Sequence, residues 1–295
     1  MNAQGDRIDS DAFGYFEILG STVFWGLVPV VSLLVGLPSP IFVFFRVLVS
    51  FLFLYSLYGR KLNIRNMGRW PVLVSGILVG INWISFFYAL TMMPVSDVVV
   101  IYYSGPAIAI YLSFLVGEKP NRMAVAGGSF SFAAIVLMFL QSLHVNLVGF
   151  LVALISGISY AMIAIASRKA VDHVSSSDLV LYQTIIVLIM TAPFLFFMKF
   201  SLNYESMLLL LFAGIMQTGL ALILWYDSQR RIGIQTVSVL SYLDPVFAVV
   251  FAFLILGQKP GDIAIVSISM ILASGFAVSF SRIRELRKMR EDRAI

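Results

Sequence analysis

The sequence predicts an all-α integral membrane protein with ten transmembrane helices, arranged as two inverted-topology five-helix repeats. Three observations carry that prediction: long apolar runs, a segment ending GEKP at Gly117–Pro120 that returns as GQKP at Gly257–Pro260, and a one-sided distribution of basic residues. With 60% hydrophobic and 12% charged residues and a mean hydropathy of +0.96, the chain is far from soluble domains, in which roughly a quarter of residues are charged.

The apolar runs, about 18 to 25 residues long, match helices crossing a hydrocarbon core about 30 Å thick, whereas barrel strands are short and alternating. Spans are predicted at 14–35, 40–59, 71–93, 96–116, 122–140, 146–168, 177–199, 206–230, 235–256 and 262–282. Residues 1–13 are polar and read as a cytoplasmic N-terminal segment, so the first span does not read as the apolar core of a cleaved signal peptide. Residues 14–140 and 141–282 form the two repeats. The basic segment 283–295 reads as a cytoplasmic tail continuing the last helix beside anionic headgroups.

Sliding the first repeat forward by about 139 residues puts Gly80 on Gly219, Tyr103 on Tyr242 and Pro106 on Pro245; one more residue brings Pro120 onto Pro260. A repeat near half the chain length, in a sequence this apolar, points to the pseudo-symmetric architecture of alternating-access transporters.

With ten spans both termini share one side. A cytoplasmic N-terminus gives the inner segments Arg7, Arg60, Lys61, Arg65, Arg69, Lys119, Arg122, Arg168, Lys169, Arg230, Arg231 and the basic tail, and leaves only Lys199 and Lys259 outside. That asymmetry follows the positive-inside rule and places a multi-pass protein in the cytoplasmic membrane with both termini cytoplasmic. GEKP then faces the cytoplasm and GQKP the outside, which makes the repeat inverted. The net charge of +5 follows from this topology and implies no nucleic-acid partner.

Several chemistries are excluded by composition. The chain has no cysteine, hence no disulfide, thiolate metal site or cysteine nucleophile, and its two histidines, His144 and His173, fall in predicted loops. No metal or cofactor is expected. The phosphate-binding pattern G-x-x-x-x-G-K-[ST] is missing, so transport is expected to be secondary or facilitative and not driven by ATP hydrolysis in this chain. An intramembrane transferase or protease lacks its metal ligands or dyad, leaving a passive channel or lipid scramblase as the main alternative to a transporter.

Polar groups at bilayer depth are costly unless they face the protein interior, which makes them the candidate substrate-binding residues. Arg46 lies in the second span, Asn82 and Trp83 in the third, Gln217 in the eighth and Asp244 in the ninth, beside Pro245. Asp244 suits a substrate amine, a proton or a purely structural partner. Arg46 suits a carboxylate or phosphate, or a snorkelling contact. Trp25, Tyr103, Tyr160 and Tyr242 offer an aromatic lining, and Pro106 and Pro245 are candidate hinges. Gly76 and Gly80 form a G-x-x-x-G face for close helix packing.

These residues together resemble the drug/metabolite transporter superfamily, in its ten-helix EamA-like branch. The resemblance rests on Trp25-Gly26 in the first helix, Arg46 in the second, Tyr88-Ala89-Leu90 closing the third, and Pro106 followed by Gly117-Glu118-Lys119 in the fourth. The second half departs from the pattern at Tyr160-Ala161, at Gln183 near the counterpart of Arg46, and at Gln258 in place of the acidic turn residue. The resemblance implies a transporter in the lipid bilayer for a small-molecule substrate, often an exporter of amino acids or related solutes. It implies further that the two halves rock about a central cavity, with protons a candidate coupling ion.

Overall fold

A computed structural model describes residues 5–59, 63–93, 95–119, 121–139, 146–257 and 261–291. Arg60, Lys61, Pro120, His144, Gln258, Lys259, Pro260 and Arg293 lie outside the described residues. All regular structure among the described residues is helical. In chain order the helices are α1 (Gly5–Gly26), α2 (Val28–Val35), α3 (Ser39–Tyr58), α4 (Ile64–Met67), α5 (Trp70–Ala89), α6 (Val95–Tyr102), α7 (Ser104–Leu112) and α8 (Arg122–Phe139). They continue as α9 (Leu147–Ala170), α10 (Ser176–Thr191), α11 (Phe194–Phe197), α12 (Tyr204–Phe212), α13 (Ala221–Leu240), α14 (Leu243–Leu256) and α15 (Asp262–Glu291). A 3₁₀ turn, Ser113–Val116, follows α7, and a π-helical segment, Ala213–Leu220, joins α12 to α13.

The helix starts are written in the sequence. Proline occupies the first turn of α2, α3 and α5, where its missing N–H costs nothing. Asn63, Asn146, Ser175 and Asn203 accept backbone N–H groups at the starts of α4, α9, α10 and α12. Asp178 adds negative charge to the first turn of α10. The GEKP/GQKP repeat has a backbone cause: Gly117 (φ 81°) and Gly257 (φ 68°) both close their helices in the left-handed conformation.

Among the described residues, seven helical stretches are long and apolar enough to cross a membrane: Asp11–Val35, Ser39–Tyr58, Trp70–Ala89, Val98–Val116, Leu147–Ala170, Ser176–Phe197 and Tyr204–Leu240. Three further apolar helices, Arg122–Leu137, Leu243–Ile255 and Ile265–Ser281, are shorter. The chain is therefore a multi-pass, all-helical membrane protein.

Three expectations about helix limits change. Helix α1 begins at Gly5, because residues 6–13 are polar but contain no helix breaker, so the N-terminal segment extends the first helix. The connection expected between the eighth and ninth spans is a single residue, Gly233, with φ 82° and ψ 159° inside α13. The fourth and ninth spans break at Tyr103 and at Ser241-Tyr242, each ending just before the half-helix whose third residue is Pro106 or Pro245. A proline lacks its N–H and crowds the carbonyl four residues back, which here belongs to Tyr102 and Ser241. The break therefore falls ahead of each proline, while the proline sits without strain in the first turn of the succeeding half-helix. Asp244, expected in mid-helix, lies in that first turn of α14.

The helices pack in reciprocal pairs. Helix α5 packs on α9 and α1 on α13; α5 packs on α10 and the π segment on α3; α7 packs on α9 and α14 on α1. Helices α3 and α10, and α8 and α15, pair directly. The most extensive contacts between the two halves of the chain thus come in pairs, whereas those of α13 with α7 and α8 are not returned. The glycines repeat this pattern: a Cβ on Gly76 or Gly80 would meet Ile186 or Met190 of α10 at 2.4 Å, and one on Gly214 would meet Val49 of α3 at 2.5 Å. Close helix approach is thus the structural use of the Gly76/Gly80 face.

Candidate functional site

The two broken helices meet. The Tyr242 hydroxyl donates to the Tyr103 carbonyl at 3.0 Å, and their rings lie 6.1 Å apart, so the two break points are joined in the interior of the bundle. Beyond each break a half-helix begins, α7 at Ser104 and α14 at Leu243, whose first N–H groups lack helical partners and carry partial positive charge. Only α14 places an acid there. Asp244 is 5% exposed; its carboxyl lies against the Tyr103 hydroxyl, and its Oδ1 has no hydrogen-bond partner.

Arg46, on α3, is buried as well. Its Nε donates to Thr218 Oγ1 at 2.9 Å, and its guanidinium stacks 4.7 Å from the Trp83 ring and 5.6 Å from that of Phe42. The ion pairs among the described residues, Arg168–Asp172 and Arg231–Glu17, include neither Arg46 nor Asp244. A buried guanidinium and a buried carboxyl group thus stand in one helical bundle, each held by neutral groups. Tyr102 lies within electrostatic reach of both.

The π-helical segment carries Gln217. Thr218 Oγ1 donates to the Ala213 carbonyl at 3.1 Å, five residues back, as the widened turn requires. The Gln217 carbonyl accepts the Trp25 indole N–H at 2.9 Å, while both ends of its fully buried side-chain amide have no hydrogen-bond partner. Leaving such a group unsatisfied costs about 1–3 kcal/mol, and π-helical turns concentrate at functional sites.

Of the remaining expected residues, Asn82 ties two helices together and also bonds Tyr102. Its Nδ2 donates to the Ser156 carbonyl at 2.8 Å, and Ser156 Oγ returns a bond to the Asn82 carbonyl at 3.0 Å, tying α5 to α9. Tyr160 packs edge-on against Tyr102 at 5.7 Å and Trp225 at 5.6 Å, and Trp225 lies 5.8 Å from Trp25. Trp25, Tyr160, Tyr103 and Tyr242 are therefore parts of one aromatic assembly, with Arg46, Trp83 and Phe42 forming a second contact group.

Sequence reasoning missed Tyr102, Trp225, Thr218 and Ser241. Trp225 is 2% exposed and donates toward Ser241 Oγ at 3.4 Å, beside the second break. Tyr102 adjoins Tyr103, and on a continuous helix the two would point about 100° apart. The turn at Tyr103 brings both rings into the assembly, 5.2 Å from each other. The twin tyrosines three and four residues before Pro106 were the available signal.

The EamA-like transporter family profile matches the chain twice, over residues 12–140 and 147–280. An uncharacterized transporter, YxxF, of Bacillus subtilis (strain 168) is 26% identical over 275 residues, covering 89% of this chain and 88% of that protein. Protein RarD of Escherichia coli (strain K12) is 25% identical over 278 residues, covering 88% of this chain and 90% of RarD. A solved crystal structure superposes with a TM-score of 0.81 at 18% identity, over 94% of this chain and 99% of its own, and so shares the fold. The family is one of transporters and not of enzymes, and YxxF bears the transporter name as well. The chain belongs to the EamA-like transporter family, within the drug/metabolite transporter superfamily.

Proposed function

We propose that this protein is a secondary transporter, an exporter of amino acids or related amphipathic solutes, working by alternating access in the cytoplasmic membrane. The observation that carries this reading is the meeting of two broken helices at Tyr103 and Tyr242, with Asp244 in the first turn beyond one break. Discontinuous helices that meet at the interface between repeats form the substrate sites of many secondary transporters.

The reciprocal helix packing supports ten crossings in two five-helix repeats of opposite orientation. It supports a rocking motion as well, since the most extensive contacts of each half on the other are paired. With an odd number of crossings per half and the basic residues gathered on one face, both termini lie in the cytoplasm. Amino acids are favoured by a buried guanidinium, Arg46, to meet a carboxylate and a buried carboxyl, Asp244, to meet an ammonium, beside an aromatic assembly that accepts apolar side chains. Asp244 is also the residue through which protons would be coupled.

The test is counterflow in proteoliposomes over a panel of amino acids, sugars, nucleotides and organic cations, with and without an imposed proton gradient. Saturable exchange of zwitterionic solutes is expected. Exchange confined to sugars or nucleotides overturns the substrate class, and flux without saturation or exchange overturns the transporter mechanism in favour of a channel.

A further inference from the structure

The GEKP segment has a second structural part besides its glycine. Gly233 breaks α13 with φ 82°, a conformation that disfavours any residue with a Cβ, and the helix restarts at Ile234. Two backbone N–H groups at this restart, those of Ile234 and Gln235, point at the Glu118 carboxylate, at 3.0 Å to Oε1 and 3.4 Å to Oε2. A Cβ on Gly233 would stand 3.2 Å from both carboxylate oxygens, so the glycine also makes room for the acid. Gln235 completes the clasp: its Nε2 donates to the Lys119 carbonyl at 2.8 Å, and its Oε1 accepts from the Asn121 N–H at 2.7 Å.

Glu118 and Gln235 belong to different halves of the chain. This clasp therefore fastens the first half to the start of the helix that runs on to the break at Tyr242. A cavity of about 280 Å³ lies against it, lined by Glu118, Lys119, Asn121, Gln235 and Thr236 among others. A second link sits nearby, where Glu17 of α1 holds Arg231 at 3.0 Å, but that pair is partly exposed and such pairs contribute little. The bonds to Glu118 are charge-assisted, roughly twice as strong as neutral ones, and they place negative charge where a helix start favours it. In the sequence the corresponding residue of the second half is Gln258, a neutral amide.

We propose that Glu118 is a gate latch: its carboxylate holds the GEKP face closed by gripping the N–H groups of Ile234 and Gln235, and each transport cycle opens that face by releasing them. This rests on the alternating-access reading above. It assigns the acidic residue of the motif a positioning role, at a distance from the aromatic assembly and from Arg46 and Asp244. It also makes the two faces unequal, with a charged latch on the GEKP side and an uncharged residue on the other.

The chain has no native cysteine, so one introduced at Thr236 reports access directly. The full-length Thr236→Cys protein is reconstituted in liposomes, and its rate of modification by a membrane-impermeant maleimide is measured with Glu118 intact, as Glu118→Gln and as Glu118→Ala. Removing the charged grip is expected to raise the rate roughly tenfold in Glu118→Ala, corresponding to about 1.4 kcal/mol, and by less in Glu118→Gln; Glu17→Gln should stay within about twofold. Unchanged labelling in both Glu118 variants, whatever happens to their melting temperature, makes Glu118 a static cap and overturns the proposal. If Glu118→Ala does not survive purification, Glu118→Gln decides on the same criterion. Labelling needs no substrate, so the two readings fail separately. Increased labelling without counterflow of any solute overturns the proposed transport and leaves only the grip of Glu118 on this face, whereas counterflow with unchanged labelling removes the latch alone.

Discussion

The two broken helices share a turn, a tyrosine and a proline, and differ one residue before that proline, where the first has Gly105 and the second Asp244. At Gly105 the backbone is pressed onto α9: a Cβ there would lie 2.6 Å from the Gly157 carbonyl oxygen and 2.9 Å from Tyr160 Cβ. No side chain fits. At Asp244 a carboxyl does fit, buried and left with one oxygen unbonded. The repeated features build the joint between the halves, and the unrepeated residue brings a carboxyl group to it. Arg46 and Gln183 differ in the same way: Gln183 is fully used, donating to Ser75 Oγ at 3.0 Å and accepting from the Tyr226 hydroxyl at 2.8 Å, while Arg46 donates through Nε to Thr218 and stacks on rings.

The severest way to break this comparison is to make the two sites alike with Gly105→Asp. The new carboxyl collides with a backbone carbonyl and Tyr160, and thermal unfolding in detergent should show a loss of roughly 3 kcal/mol or no folded protein. A mild effect would mean that α7 and α9 part easily and that Gly105 is not under compression.

Next in size is Asp244→Asn. Because the carboxyl lacks an ion-pair partner, the melting temperature should change little, while counterflow falls by about tenfold or more, as expected when one strong polar contact to a substrate is lost. Retained exchange with loss of proton-driven flux assigns Asp244 to coupling; unchanged transport in both assays removes it from the site.

Tyr242→Phe should have the smallest effect. It deletes the bond to the Tyr103 carbonyl and should cost about 1 kcal/mol in stability, read from the same melting curves, with the ring packing kept. A loss several times larger would mean that the hydroxyl holds more than the joint between the breaks.

That the chain is helical and crosses the membrane many times was legible in the sequence, because apolar run length is a local property. The breaks were harder. Proline marks them, but its effect falls on the preceding turn, so the signal stands at Pro106 and Pro245 while the chain bends at Tyr103 and Tyr242. The π segment carries no local signature; it follows from Gly214 and Thr218 being drawn against α3. Trp225 and Tyr102 were lost among the aromatic residues, 14% of the chain, most of which pack in ordinary ways. The partner of Glu118 lies 116 residues away, a separation that no motif encodes.

Under the proposed alternating access, the joint between the breaks is reached in turn from the two sides of the membrane. Ser241 stands at the second break, fully buried. A single cysteine at this position, treated in sealed vesicles of known orientation with a small charged thiol reagent from one side at a time, tests the claim directly. The expected result is modification from either side, slowed by whichever solute the counterflow panel identifies. Modification from one side only, or from neither, contradicts alternating access at this site.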